Sequence, residues 1–470
     1  MTKFGHLSFW SFFRHSDFVI RHFLFVVVVC FPLRTAASTN QHVILITIDG
    51  LAAFYLSDPQ APLPTLRKLA AEGAQAEGLR VSNPSVTWPN HTTLVTGVHP
   101  EKHSVLFNGM LVRLGPGKSV LVDGRRDKTE LVAVPTLYDR LHEAGYRTAN
   151  VNWPCTRNAP TLDDNFPDVP EQISHTTPRL RAELVTAGIL DEANDANFRR
   201  KSAAARDRIW TAAATHLIRE RRPNLLLFHM LITDSLQHQY GQQSAAAYTA
   251  VALADAQLAE ILQAIEAAGI RERMTIFVTS DHGFDKASKI INPNVILRKA
   301  GFLRPGPPPS FSKVRAQAIS EGGTALVYLT DPATAKEDRD KVVALMREHE
   351  GIAEVLGPER FAGLHLPDPA KNSQMADLIL VPEPGYAFSN EANSEASITE
   401  VTAAPGNQGQ HGFLSTNARM NGVFVAWGRG IKAGVKLGLV DNIDVAPTIA
   451  EVLGEKLPGA DGKVLREILK

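Results

Sequence analysis

The sequence predicts an α/β fold: a mainly parallel sheet with helices on both faces, plus a small inserted α/β cap. Three observations carry that expectation. Short apolar, β-branched runs recur at residues 43–48, 147–152, 225–232, 275–279 and 423–427, and continuous apolar character over so few residues marks strands buried on both faces. Between them, residues 63–72, 135–144, 198–221, 246–268 and 445–453 place apolar side chains at helical spacing, so strands and helices alternate as a parallel sheet requires. The stretch 292–384 breaks this rhythm. It includes the turn-rich Arg304-Pro305-Gly306-Pro307-Pro308-Pro309-Ser310 and repeats a strand-helix-strand pattern on a smaller scale, which predicts a cap subdomain set into a main domain formed by 38–291 and 385–470.

With 470 residues, of which 44% are hydrophobic and 21% charged, the chain can bury a large core, which excludes a disordered protein. Its 49 basic residues balance 49 acidic ones, so no stable nucleic-acid complex is expected and any anion must be bound by local groups. At the N-terminus, Lys3, Arg14 and Arg21 precede an apolar run at 22–33 and the small residues Thr35-Ala36-Ala37-Ser38. This pattern predicts a signal peptide over 1–37, cleaved after Ala37, and a secreted or periplasmic protein. The apolar run is shorter than the roughly 20 residues of a membrane span, so a membrane partner is expected only if the segment stays uncleaved. Cys30 lies inside it, which leaves Cys155 alone and no internal disulfide. Nothing in the sequence specifies an oligomer.

Four places along the chain carry groups suited to metal chemistry. The first strand ends in Asp49, at the carboxyl edge where parallel sheets present ligands. After the strand at 225–232 come Asp234 and His238, four residues apart and so on one face of a helical turn. The strand at 275–279 runs into Ser280-Asp281-His282-Gly283, and the glycine-rich loop 407–412 presents His411. Each place alone has a plain structural reading, the aspartates as helix caps and the histidines as surface residues. Together they supply three Asp and three His, enough for two sites of three ligands that keep open positions, as catalytic zinc requires. Thr87 precedes a proline-started helical segment, where it is either an N-cap or a hydroxyl placed where an anion would bind.

These motifs, in this order, resemble the nucleotide pyrophosphatase/phosphodiesterase branch of the alkaline phosphatase superfamily. The matching pieces are Ile48-Asp49-Gly50, Thr87-Trp88-Pro89-Asn90-His91, Asn108, Trp153-Pro154, Asp234 with His238, Ser280-Asp281-His282-Gly283 and His411-Gly412. The resemblance implies an alkaline-phosphatase-like catalytic domain and two Zn2+ ions as cofactors. One would be held by Asp234, His238 and His411, and the other by Asp49, Asp281 and His282, the latter also contacting Thr87. It further implies that Thr87 is the nucleophile, passing through a phospho-threonine intermediate, and that Asn108 and the Thr87 N–H donate to a phosphate oxygen. Trp88 stands where the family usually has Phe, on which a nucleobase stacks, and Phe166 is the candidate opposite wall. The implied partner is a small phosphate ester, nucleotides among the candidates, and the implied activity is that of a phosphodiesterase.

Two other readings compete. A phosphomonoesterase or phosphonate hydrolase would share Thr87 and all six ligands, but a monoester needs added cationic groups, for which Arg157 is the nearest candidate. A zinc-dependent envelope binding protein without activity would show a lost ligand or a lost Thr87, and none is lost. A sulfatase is disfavoured because the chain lacks the Cys/Ser-x-Pro-x-Arg context of its modified nucleophile. His91, His99 and His103 are expected to be structural hydrogen-bonders, since both ligand sets are already complete.

Overall fold

The computed structural model describes residues 40–191, 194–306, 311–402 and 405–470. The expected signal peptide therefore lies outside the described residues. The main sheet contains β1 (His42–Ile48), β2 (Ala74–Arg80), β3 (Thr148–Pro154), β4 (Asp164–Asp168), β5 (Leu225–Met230), β6 (Met274–Thr279), β7 (Phe424–Gly428) and β8 (Val435–Asp441). Their order across the sheet is β8-β2-β7-β6-β1-β5-β3-β4. Strands β6, β1, β5, β3 and β4 are mutually parallel, and β7 runs antiparallel to both β6 and β2.

Side chains alternate across this sheet with period two, and each face packs on its own helices. From β1, Ile44, Ile46 and Ile48 enter one core with Phe228, Ile276 and Val278, while Val43 and Leu45 enter the other with Leu227 and Phe277. The helices that matter below are α1 (Pro64–Glu72), α2 (Thr87–Thr96), α3 (Leu137–Glu143), α4 (Ala203–His216), α5 (Ile232–Tyr240), α6 (Ala245–Ala267) and α7 (Val445–Val452). Leu66 of α1, Trp210 of α4 and Leu258 of α6 cover the first face; Leu94 of α2, Leu141 of α3 and Ile449 of α7 cover the second. The fold is thus the expected α/β type with helices on both faces.

Two expectations need correction. The helix predicted over 198–221 is broken: a short helix spans Asp195–Arg199, and the Ser202 hydroxyl then accepts the Ala205 N–H and starts α4 as a new helix. Strands β2, β4 and β8 were not expected. They carry polar residues, as in Ala-Gln-Ala-Glu-Gly-Leu-Arg of β2, and β4 and β8 are the sheet edges, so a search for continuous apolar runs passes over them.

Within 292–384, strands Ala316–Ser320, Ala325–Leu329, Leu378–Pro382 and Ile352–Leu356 form an antiparallel sheet in that spatial order. Helix Ala335–Arg347 packs on it through Val342 and Met346, which share a separate core with Val327 and Leu380. A smaller sheet pairs the outgoing Lys289–Ile291 with the returning Tyr386–Phe388 and Ile398–Glu400. The turn between the first two strands reaches back to the main domain: Gly323 N–H donates to the His411 carbonyl at 2.6 Å, and Thr324 Oγ1 donates to that of Gly412 at 2.9 Å.

Candidate metal and nucleophile site

The site lies beyond the carboxyl ends of β5, β1 and β6, which are adjacent and parallel. Asp49 follows β1, Asp281 and His282 follow β6 one residue later, and β5 runs through Leu231 into α5, which carries Asp234 and His238 one turn apart. Asp207 of α4, fully buried, accepts the Leu231 and Ile232 N–H groups at the head of α5 at 2.9 Å each, and so fixes where that helix begins. His411 arrives from a distant loop held by the turn of the inserted segment.

These side chains gather into two groups. Asp49, Asp281 and His282 are buried, with donor atoms all within 4.8 Å of one another, and Asp234, His238 and His411 meet the same limit. In the first group His282 Nε2 lies 3.3 Å from Asp49 Oδ1 and 3.5 Å from Asp281 Oδ2. In the second, His238 Nε2 and His411 Nε2 lie 3.2 and 3.7 Å from Asp234 Oδ1. The rings of His282 and His411 stack with centroids 3.8 Å apart, so the two groups abut.

The donor set fits cations in a specific way. Asp49 Oδ1, Asp281 Oδ2 and Asp234 Oδ1 are buried oxygens without a hydrogen-bond partner, a costly condition that a metal ion relieves. Each imidazole is also oriented. Nδ1 of His238, His282 and His411 contacts the carbonyls of Gly409, Gly283 and Ser85 at 3.1, 3.1 and 3.2 Å. A carbonyl only accepts, so Nδ1 carries the proton and the Nε2 lone pair faces inward, as a metal ligand needs.

Electrostatics agree with the geometry. Burial, and then the Asp281 and Asp234 carboxylates, push Asp49 well above the usual carboxylate range. Burial also raises Asp234, but the adjacent His238 and His411 outweigh it and hold that carboxyl below its ordinary value. Burial takes His282 down to about 4, and burial together with His282 and His238 takes His411 well below its ordinary value. His282 and His411 are thus neutral and ready to ligate, whereas Asp234 outweighs burial and raises His238, which gives up a proton on binding a cation.

Thr87 is the first residue of α2, and its Oγ1 lies 3.5 Å from His282 Nε2 at the first group. Asn108 Oδ1 accepts the Trp88 N–H at 2.9 Å, which commits the oxygen of that exposed amide and leaves its NH2 free to donate. Trp88 is only 5% exposed: its indole N–H donates to Asp168 Oδ2 at 3.1 Å and its ring packs against Val105, Leu131 and Val132. It therefore offers little free face for stacking.

Phe166 is a correction. It pairs beside Val151 inside the sheet, is fully buried, and packs against Phe198 at 5.8 Å, so it is a core residue and no wall of the site. Asp168, at the end of the same strand, is the residue that reaches Trp88. Arg157 Nε is engaged by Asp127 at 3.0 Å. His91, His99 and His103 lie outside both groups and bond to Thr87 O, Ser82 Oγ and Thr93 Oγ1. Sequence reasoning passed over Asp168 and His229, although a histidine inside the apolar run Leu-Leu-Leu-Phe-His-Met of β5 was a visible signal.

An α/β sheet that presents two abutting Asp/His groups and a helix-head threonine at its carboxyl edge defines a metal-site protein of the alkaline-phosphatase-like fold. The chain belongs to the type I phosphodiesterase / nucleotide pyrophosphatase family, whose sequence model matches residues 43–414. It is 23% identical over 416 residues to ectonucleotide pyrophosphatase/phosphodiesterase family member 3 of Rattus norvegicus, covering 87% of this chain and 42% of that one. Venom phosphodiesterase 2 of Crotalus adamanteus is 22% identical over 254 residues, covering 54% of this chain and 28% of the relative. The chain thus spans less than half the length of these curated relatives. Among solved structures, murine ectonucleotide pyrophosphatase/phosphodiesterase 5 superposes with a TM-score of 0.68 at 18% identity, over 92% of this chain and all of the other. An inactive threonine-to-alanine variant of that murine protein, solved with AMP, has the same TM-score, 0.68.

Proposed function

We propose that this protein is a zinc-dependent phosphodiesterase/nucleotide pyrophosphatase that works through a phospho-threonine on Thr87. The observation that carries the reading is the Thr87 hydroxyl at the head of α2, 3.5 Å from His282 Nε2 in the group whose carboxylate oxygens are unpartnered. Two Zn2+ ions, one held by Asp49, Asp281, His282 and the Thr87 hydroxyl and one by Asp234, His238 and His411, would supply Lewis acidity and lower the pKa of oxygen nucleophiles.

The chain's own groups do the rest. Thr87 Oγ1, its proton lost to solvent, attacks phosphorus in line; the Oγ1–P bond forms as the P–O bond to the leaving group breaks, and water later displaces Thr87. The Thr87 N–H, at the first helical position with no preceding turn to accept it, and the free Asn108 NH2 donate to a non-bridging oxygen. His91 Nδ1–H, 2.8 Å from the Thr87 carbonyl, holds the nucleophile's backbone in place. We assign the segment 292–384 the role of a cap over the substrate. Replacing Asn108 with Ala is expected to reduce kcat roughly 10²–10³-fold, the usual cost of one oxyanion donor, with KM changing less. Steady-state kinetics would show an unaltered kcat if Asn108 were only a helix cap.

Diesters are favoured because Arg157, the nearest cationic candidate for a monoester dianion, is already committed to Asp127. The test uses exported protein whose N-terminus is first sequenced, with a start near Ser38 expected and an intact Met1 counting against export. Zinc-loaded, it should turn over bis-p-nitrophenyl phosphate and nucleotide pyrophosphates with higher kcat/KM than p-nitrophenyl phosphate. Preference for the monoester or for a phosphonate would overturn the substrate class, and no turnover of any ester would leave a binding protein.

A further inference from the structure

His229 belongs to neither ligand group, yet it is buried directly behind one of them. It sits on β5 opposite Thr47 of β1 in the strand register, so its ring lies in the layer beneath Asp49. Its Nε2 is 3.2 Å from Asp49 Oδ2, the oxygen other than the unpartnered Oδ1 that meets His282. Its Nδ1 is 2.9 Å from Thr47 Oγ1 and 3.1 Å from His91 Nε2. His91 in turn contacts Thr47 Oγ1 at 2.8 Å and the Thr87 carbonyl at 2.8 Å.

Donor and acceptor roles follow from these partners. The Thr87 carbonyl only accepts, so His91 Nδ1 carries a proton and its Nε2 is a lone pair. Asp49 ionised by a cation on Oδ1 would only accept, so His229 then carries its proton on Nε2 and presents a lone pair at Nδ1. The single hydroxyl proton of Thr47 is then shared between two ring nitrogens, whose own 3.1 Å approach is a contact of two lone pairs and no hydrogen bond, and both imidazoles are specified in tautomer and orientation.

We infer that His229 is a positioning residue: its Nε2–H grips Asp49 Oδ2 and turns Asp49 Oδ1 toward the metal held with Asp281 and His282. This rests on the proposed reading of that group as a metal site. A carboxylate ligand free to rotate about its last bond loses aim, and a second hydrogen bond from behind removes that freedom, the arrangement that typically changes metal affinity 10–100-fold when broken. Through Thr47 and His91 the same network ends on the Thr87 carbonyl, so the ligand and the nucleophile's backbone share one rigid support.

The test is zinc affinity, measured on the full mature chain by competition with a chromophoric chelator, alongside zinc per chain and thermal melting. His229→Phe keeps an aromatic ring but has no donor, and His229→Gln keeps an N–H near the Nε2 position. The Phe variant should lose roughly 10–100-fold in affinity at one of two sites, with the other unchanged, and the Gln variant should recover most of that loss. If the Phe variant does not fold, His229→Asn, whose donor falls short of Asp49, is read in its place and should show the same one-site loss. Wild-type affinity in the donorless variant, or equal loss at both sites with no recovery by Gln, would overturn the inference. A wild-type protein with no zinc at the Asp49 group would instead overturn the metal reading itself.

Discussion

Replacing Thr87 with Ala is expected to lower kcat on a phosphodiester by roughly 10³-fold or more while both zinc ions stay bound. The change removes the one oxygen at the head of α2 that reaches His282, and it leaves all six Asp and His ligands in place. Thr87 does not occupy the cap position, which is Val86, and Asn108 accepts the next N–H. Folding and metal content should therefore be unaffected, and each tenfold drop reads as about 1.4 kcal/mol of barrier. Thr87→Ser keeps the hydroxyl and should retain measurable turnover. Kinetics of the alanine variant at the wild-type rate, with zinc confirmed by elemental analysis, would remove Thr87 from the mechanism.

The second large effect is expected from Asp49→Asn, which keeps the shape of the side chain and removes its charge. Zinc should fall to the single ion of the Asp234 group, and turnover should fall by roughly 10³-fold, since a group that holds the nucleophile's metal is lost. Stability should move in the opposite direction. Burial and then Asp281 raise the Asp49 carboxyl in the folded, metal-free chain, so the fold binds a proton there more tightly than the unfolded chain does. The stability this contributes is present below the ordinary carboxylate pKa and is lost as pH rises toward the raised folded value. Metal-free wild type should thus weaken over the range above about pH 4, the ordinary Asp pKa, and zinc should restore it increasingly as pH rises. Metal-free Asp49→Asn should not show that decline. Chemical denaturation of both proteins with chelator across this range measures the difference, and identical pH profiles would show that Asp49 carries no such burden.

Legibility differed between parts of the chain for physical reasons. The buried strands β1, β5, β6 and β7 were readable because helices cover both of their faces, which forces continuous apolar runs, whereas β2, β4 and β8 meet solvent or polar neighbours and carry no such run. Phe166 illustrates a different limit. The pattern Phe-Pro-Asp after Trp153-Pro154 places an aromatic near the right strand end, but strand pairing beside Val151 sends Phe166 into the core and leaves Asp168 to meet Trp88.

By itself the sequence determined the chemical inventory: six candidate ligand residues at strand ends, on one helix and in one loop, a threonine ahead of a helix, and the alternation that makes a parallel sheet. Those are local properties, set by residue type and by which strand or helix follows. The family resemblance implied how these donors divide, and only the tertiary structure supplied the physical cause: Asp49 meets Asp281 and His282 through strand adjacency, and His411 joins Asp234 through a turn of the inserted segment. It also decided that Trp88 is held by Asp168 and that His229 supports Asp49. Hydrogen bonds between residues far apart in the chain leave no periodic trace in it, since their geometry exists only after the strands have found their register.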